Sequence, residues 1–128
     1  MHYPHLVHRQ DWHDVEDRRA YMEATVEQDI AWQIASNRRT RCMSQRDLAE
    51  ALGTRQSAVA RLEDPTYGRH SIGTLVRVAH AFDCALRVKL IPYSQLAEEV
   101  ADTSDEALYA APFSEELQYI ETLTDPQP

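Results

Sequence analysis

The stretch from Met43 to Glu63, MSQRDLAEALGTRQSAVARLE, constrains this fold most, because its residues fall where two short helices crossed around one glycine need them. Ser44 can accept from the free backbone N–H groups that open a first helix, and Asp47 three residues on strengthens that start. Leu48, Ala49 and Leu52 then recur at helical spacing. Gly53 ends the helix, since a glycine just past the last apolar position permits the left-handed conformation that a tight helix-to-helix turn requires. Thr54 is placed to cap a second helix that buries Val59 and Leu62. With the small Ala49 at the crossing, the helices approach closely and the second presents Gln56, Ser57 and Arg61 outward.

This arrangement resembles the helix-turn-helix of the Xre family, which includes phage repressors and Cro proteins. The resemblance is carried by Ser44-Gln45, Leu48-Ala49, Leu52-Gly53, Gln56-Ser57, Val59 and Leu62-Glu63, and extends in weaker form from Ile30 to Phe82. Asn37 stands where relatives usually carry an apolar residue, and Cys42 where they often carry glycine before the capping serine. The expected mechanism is sequence-specific binding of double-stranded DNA, each copy placing residues 54–63 in a major groove; with the dimer contact argued below, the operator is an inverted repeat read by a homodimer. It gives base reading to Gln56, at a position that contacts adenine, and to Ser57 and Arg61; Arg55 can reach guanine or a phosphate. Gln45 matches a phosphate clamp, with Ser44 and Thr54 at the helix starts and Arg38 and Arg69 as further phosphate contacts.

A net charge of −8 has the wrong sign for a partner of phosphates, but its distribution removes the objection. Residues 37–91 hold ten Lys or Arg against five Asp or Glu, whereas residues 92–128 hold nine acids and no Lys or Arg. A phosphate responds to the local field within a Debye length of roughly 8 Å, so the acidic ends weaken non-specific DNA affinity without abolishing it.

Ahead of the motif, residues 14–36 read as a helix, with Met22, Val26, Ile30 and Ile34 at every fourth position and Trp12 and Trp32 as packing anchors. The surplus length suits either a helical arm on a twofold partner or a cap over the core. After it, Asp64 to Gly68 is a turn, and Ser71 caps a helix whose Ile72, Leu75, Val76, Ala79 and Phe82 form one apolar face. The pattern then changes to alternation: Cys84, Leu86, Val88 and Leu90 against Ala85, Arg87, Lys89 and Ile91, a half-buried strand ended by Pro92. The chain offers no second convincing strand, so Leu86, Val88 and Leu90 are expected at a dimer interface, paired with the same strand of another copy.

Beyond Pro92 the chain is acidic. Ser94 to Val100 suits one or two helical turns, Ala101 to Glu106 a linker, and Ser114 can cap a helix with a Leu117, Ile120 and Leu123 stripe. That segment is either a tail docked on its own domain or a partner-binding peptide. The expected fold is mainly α, an Xre-type helix-turn-helix bundle with a single C-terminal β-strand and an acidic tail. Its divisions are a tail and helical arm (1–29), a DNA-binding domain (30–83), a dimerisation strand (84–92) and the acidic tail with short helices (93–128).

Cys42 and Cys84 sit in no metal or redox spacing and read as reduced, partly buried thiols. His2, His5, His8 and His13 lack companion ligands, and with three glycines there is no phosphate loop or nucleophile motif, so no metal, cofactor or enzymatic activity is expected. No signal peptide or spanning segment is evident, which predicts a cytoplasmic protein. The expected function is a dimeric repressor of transcription. The alternative is the antitoxin of a toxin–antitoxin pair, its acidic tail or strand binding a basic toxin while the helix-turn-helix autoregulates.

Overall fold

The computed structural model describes residues 11–124, and among them the chain is mainly helical. Seven helices follow one another: α1 (Val15–Thr40), α2 (Gln45–Leu52), α3 (Gln56–Leu62), α4 (Ile72–Phe82), α5 (Tyr93–Glu99), α6 (Asp105–Leu108) and α7 (Phe113–Thr124). None is long and apolar enough to cross a membrane. The N-terminal histidines His2, His5 and His8 lie outside the described residues.

Asp14 caps α1 through a carboxylate oxygen that accepts from the Glu16 N–H at 2.9 Å, close to the expected start, and the helix runs four residues past its expected end at Ser36. The core forms where α1, α2, α3 and α4 meet: Ile34, Leu48, Ala49, Leu52, Val59, Leu62, Val78 and Phe82 pack as one cluster. Leu48 and Val59 are both fully buried at 0 % exposure. Each such side chain contributes about 1.5–3 kcal/mol by leaving water.

The α2 start is a full capping box. Ser44 Oγ accepts from the Asp47 N–H at 3.0 Å while Asp47 Oδ2 accepts from the Ser44 N–H at 2.8 Å. Gly53 ends the helix at φ +69°, with open space around the place a Cβ would occupy, so the dihedral rather than room demands glycine. Thr54 does not cap α3; its own N–H donates back to the Ala49 carbonyl, and Arg55 takes the cap position without a side-chain bond. Cys42 also lies in the left-handed region, at φ +57°, and is exposed. A preference for glycine at that position therefore has a backbone cause, and cysteine there carries strain of order 1–2 kcal/mol.

Ser71 caps α4 as expected, but the buried side is Val78, Ala79 and Phe82, with Ile72 and Val76 left exposed. Among the described residues there is no strand. Residues 84–92 are irregular, and no backbone hydrogen bond joins 85–91 to other described backbone. A ladder requires a second extended run alongside, and the described residues supply none. Leu86, Val88 and Leu90, expected on a half-buried face, are 39 %, 66 % and 99 % exposed.

The acidic segment does return to the bundle. Asn37, 4 % exposed, donates through Nδ2 to the Leu108 carbonyl at 2.8 Å and accepts through Oδ1 from the Ala110 N–H at 2.8 Å. Arg41 donates through Nη2 to the Phe82 and Ala110 carbonyls at 2.8 and 2.6 Å, with its guanidinium 4.7 Å from the Phe82 ring centroid. Ser36 Oγ donates to Asp105 at 2.6 Å, and the Phe113 N–H donates to the Asp83 carbonyl at 2.8 Å. Part of the expected linker is thus helix α6, tied to α1, whereas α7 leaves Phe113, Leu117, Tyr119 and Leu123 exposed.

Candidate nucleic-acid interface

Helix α3 turns Val59 and Leu62 into the core, which fixes its opposite side outward. Arg55, Gln56, Ser57 and Arg61 are all exposed there, and Ser57 and Arg61, four residues apart, share one face. Four polar side chains with ten donor hydrogens on two arginines form a rim able to meet base edges and phosphates together.

The rim is braced from behind. Gln56 Nε2 donates to Gln45 Oε1 at 2.9 Å, Gln45 Nε2 donates to Glu63 Oε1 at 3.0 Å, and Arg38 holds both Glu63 oxygens at 2.6 and 3.0 Å. Arg38 Nη1 also donates to the Met43 carbonyl at 2.8 Å. The Arg38 and Glu63 side chains are only 13 % and 7 % exposed, so this is a largely buried bidentate pair joining α1, the entry to α2 and the exit of α3. Glu63 is the organising residue, and neither its type nor its spacing announces that role. Its position after Leu62, at the edge of the motif, is the one available signal.

The expected phosphate residues therefore differ in what they have left to give. Ser44 is spent on the capping box, and its backbone N–H first, then its hydroxyl, hold the Asp47 carboxyl below the usual carboxylate range. Gln45 is half-buried and engaged at both ends of its amide, and Arg38 is committed to Glu63. Thr54 is exposed at the turn; Arg69 is exposed in the loop before α4 with no ion pair to a described residue. The structure brings Arg38, Gln45 and Gln56 into one network through Glu63, and leaves Arg69 outside it. On the far side of α2, Arg77 donates to the Leu52 carbonyl, closing that helix's C-terminal end with a cation.

No family model, curated protein or solved structure matches the chain. The chemistry of the site accordingly rests on its own residues.

A second feature lies away from α3. Residues 84–91 form one wall of an apolar groove of about 780 Å³, whose other walls include Met22, Val26 and Ile30 of α1, Leu75 of α4 and Leu96 of α5. Asp29, Glu99 and Asp102 also line it. Asp29 accepts from Gln33 Nε2 at 2.6 Å; burial raises its carboxyl above the usual range, the Gln33 bond opposes that, and the Glu99 charge adds to it. Cys84 lies at the same groove, where burial raises its thiol, with Arg41 opposing and Asp83 adding. Helix α1 thus keeps its expected apolar stripe, but Met22 and Val26 are 37 % and 39 % exposed at the groove.

Proposed function

We propose that this chain is an Xre-type transcriptional regulator, a homodimer that binds an inverted-repeat operator in double-stranded DNA and represses by occluding a promoter in the cytoplasm. The observation that carries this reading is the outer edge of α3: Arg55, Gln56, Ser57 and Arg61 are exposed, none of them fills the core, and the Gln45–Glu63–Arg38 brace fixes the end from which they project. A side chain held before the partner arrives loses less entropy on binding, which favours discrimination over loose attraction. Gln56 gives and takes one hydrogen bond at an adenine edge, Ser57 and Arg61 read neighbouring pairs, and Arg55 meets guanine or a phosphate. Thr54 and Arg69 position the duplex through its phosphates, as does the backbone at the start of α2 beside Ser44 and Gln45. No catalytic step or cofactor is assigned.

The test is selection of bound duplexes from a random pool with the full chain, repeated with Gln56→Ala. The enriched site should be an inverted repeat, and Gln56→Ala should cost roughly 1–3 kcal/mol there while leaving non-specific binding nearly unchanged. Equal weakening on every sequence would overturn the role given to Gln56. The exposed Phe113, Leu117 and Leu123 of acidic α7 favour a second reading, in which the same regulator is an antitoxin and this helix covers a basic toxin. Loss of neutralisation in a chain ending at Pro112, with DNA binding intact, would select it.

A further inference from the structure

The reader is complete within one copy, but the groove beside residues 85–91 is not, and three independent shortfalls meet there. The backbone of 85–91 is unpaired among the described residues. Leu86, Val88 and Leu90 are exposed, as are Met22 and Val26 on the facing wall. The charges are also divided: Arg87 and Lys89 on the segment have no acid partner, the ion pairs among the described residues being Arg38–Glu63 and Arg39–Asp105, while Asp29 and Glu99 in the groove have no cation. Cations without an ion pair on an extended segment, carboxylates in the groove beside it that accept from the neutral Gln33 and Gln95 amides, and apolar residues on both are the two halves of one contact.

We propose that a second copy of this chain completes the groove by reciprocal exchange, each copy's 85–91 segment entering the other's groove with Arg87 and Lys89 set against Asp29 and Glu99. The inference deepens the dimer of the proposed function by giving it an interface and a recognition rule. Two identical segments related by a twofold axis bring like cations side by side, which is unfavourable in an antiparallel pair, and the groove carboxylates offset that repulsion. The Leu86, Val88 and Leu90 side chains then bury against Met22, Val26 and Ile30, and the free backbone groups acquire partners. An isolated segment of this kind would invite indiscriminate edge pairing, and the charge rule restricts it to its own kind.

Sedimentation of the full chain without DNA tests this independently of base reading. The wild type should be a dimer at micromolar concentration, and Arg87→Glu with Lys89→Glu should raise its dissociation constant at least about 100-fold, as should Asp29→Lys with Glu99→Lys. Mixing the two double variants should restore association, because the reversed segment then meets the reversed groove and the native segment the native groove; loss through misfolding would not be rescued. Leu90 is 99 % exposed in one copy, so Leu90→Glu leaves that copy folded and should weaken the dimer at least about tenfold. A monomeric wild type, a dimer indifferent to Leu90→Glu, or charge-reversed variants that stay apart when mixed would each overturn the proposal. If assembly follows this rule but no DNA sequence is enriched, the DNA reading fails and the interface stands.

Discussion

The two-helix segment 43–63 has nine apolar residues in twenty-one and the segment 84–92 has six in nine, yet the first closes on itself and the second, richer in apolar residues, does not. In 43–63 every apolar position expected to be buried is buried, and each polar group not aimed outward finds a partner within about twenty residues or on the adjoining turn of α1. In 84–92 Leu86, Val88 and Leu90 are exposed, and the backbone of 85–91 makes no hydrogen bond to other described backbone. The lesson is one of range. Helices satisfy their backbone locally, so spacing alone specifies them, whereas a strand is defined only by what lies beside it.

Paired substitutions sharpen the contrast. Removing Arg38 leaves Glu63 a largely buried charge without its cation, so Arg38→Ala should cost about 3–5 kcal/mol in denaturant unfolding. Leu48→Ala opens a cavity in the fully buried core and should cost about 2–5 kcal/mol. The same truncation at Leu90, studied at dilution where the protein is a single copy, should stay within about 0.5 kcal/mol. If Leu90→Ala were as costly as Leu48→Ala there, the two regions would not differ as described.

The acidic segment sits between these extremes, and Asn37 shows why. Read by position, a polar residue on the core side of α1 is an anomaly; in the fold it holds Leu108 and Ala110, more than seventy residues away in sequence. Asn37→Ala should strand those two backbone groups at a cost of about 1–3 kcal/mol and speed hydrogen exchange at the Ala110 amide, while the α2 and α3 amides keep their protection. Uniform loss of protection would instead make the segment part of one cooperative core.

How much of the molecule could be read beforehand follows the same division. The capping box at Ser44 and Asp47, the left-handed Gly53, the burial of Val59 and Leu62 and the cap at Ser71 are each fixed by neighbours within a turn or two, and all were legible. The Arg38 brace was not, because an arginine free to meet phosphate and one bound to a distant glutamate look alike in a sequence. Nor was the docking of 105–113, since Asn37 and Arg41 announce a polar contact without naming its partner. The alternation of 84–92 identified a segment that needs pairing but carried no information on whether one chain supplies it.

The smallest effect concerns the first turn of α2. The folded-state carboxyl of Asp47 is held below its ordinary range by Ser44, so it adds stability above the unfolded carboxylate value of about 3.9 and loses that contribution as pH falls through the folded value. Asp47→Asn should therefore flatten the acid limb of the stability profile slightly without moving the neutral plateau by much. A steeper acid limb in the variant would mean that the box does not hold the charged form.

The most direct measurement of the central claim is a footprint of the full chain on a duplex selected from a random pool. Two inverted half-sites on one face of the DNA should be protected, their centres about one helical turn or roughly 34 Å apart, with Arg61→Ala relaxing preference at one position in each. Uniform protection without a preferred sequence, or no binding at low salt, would contradict it.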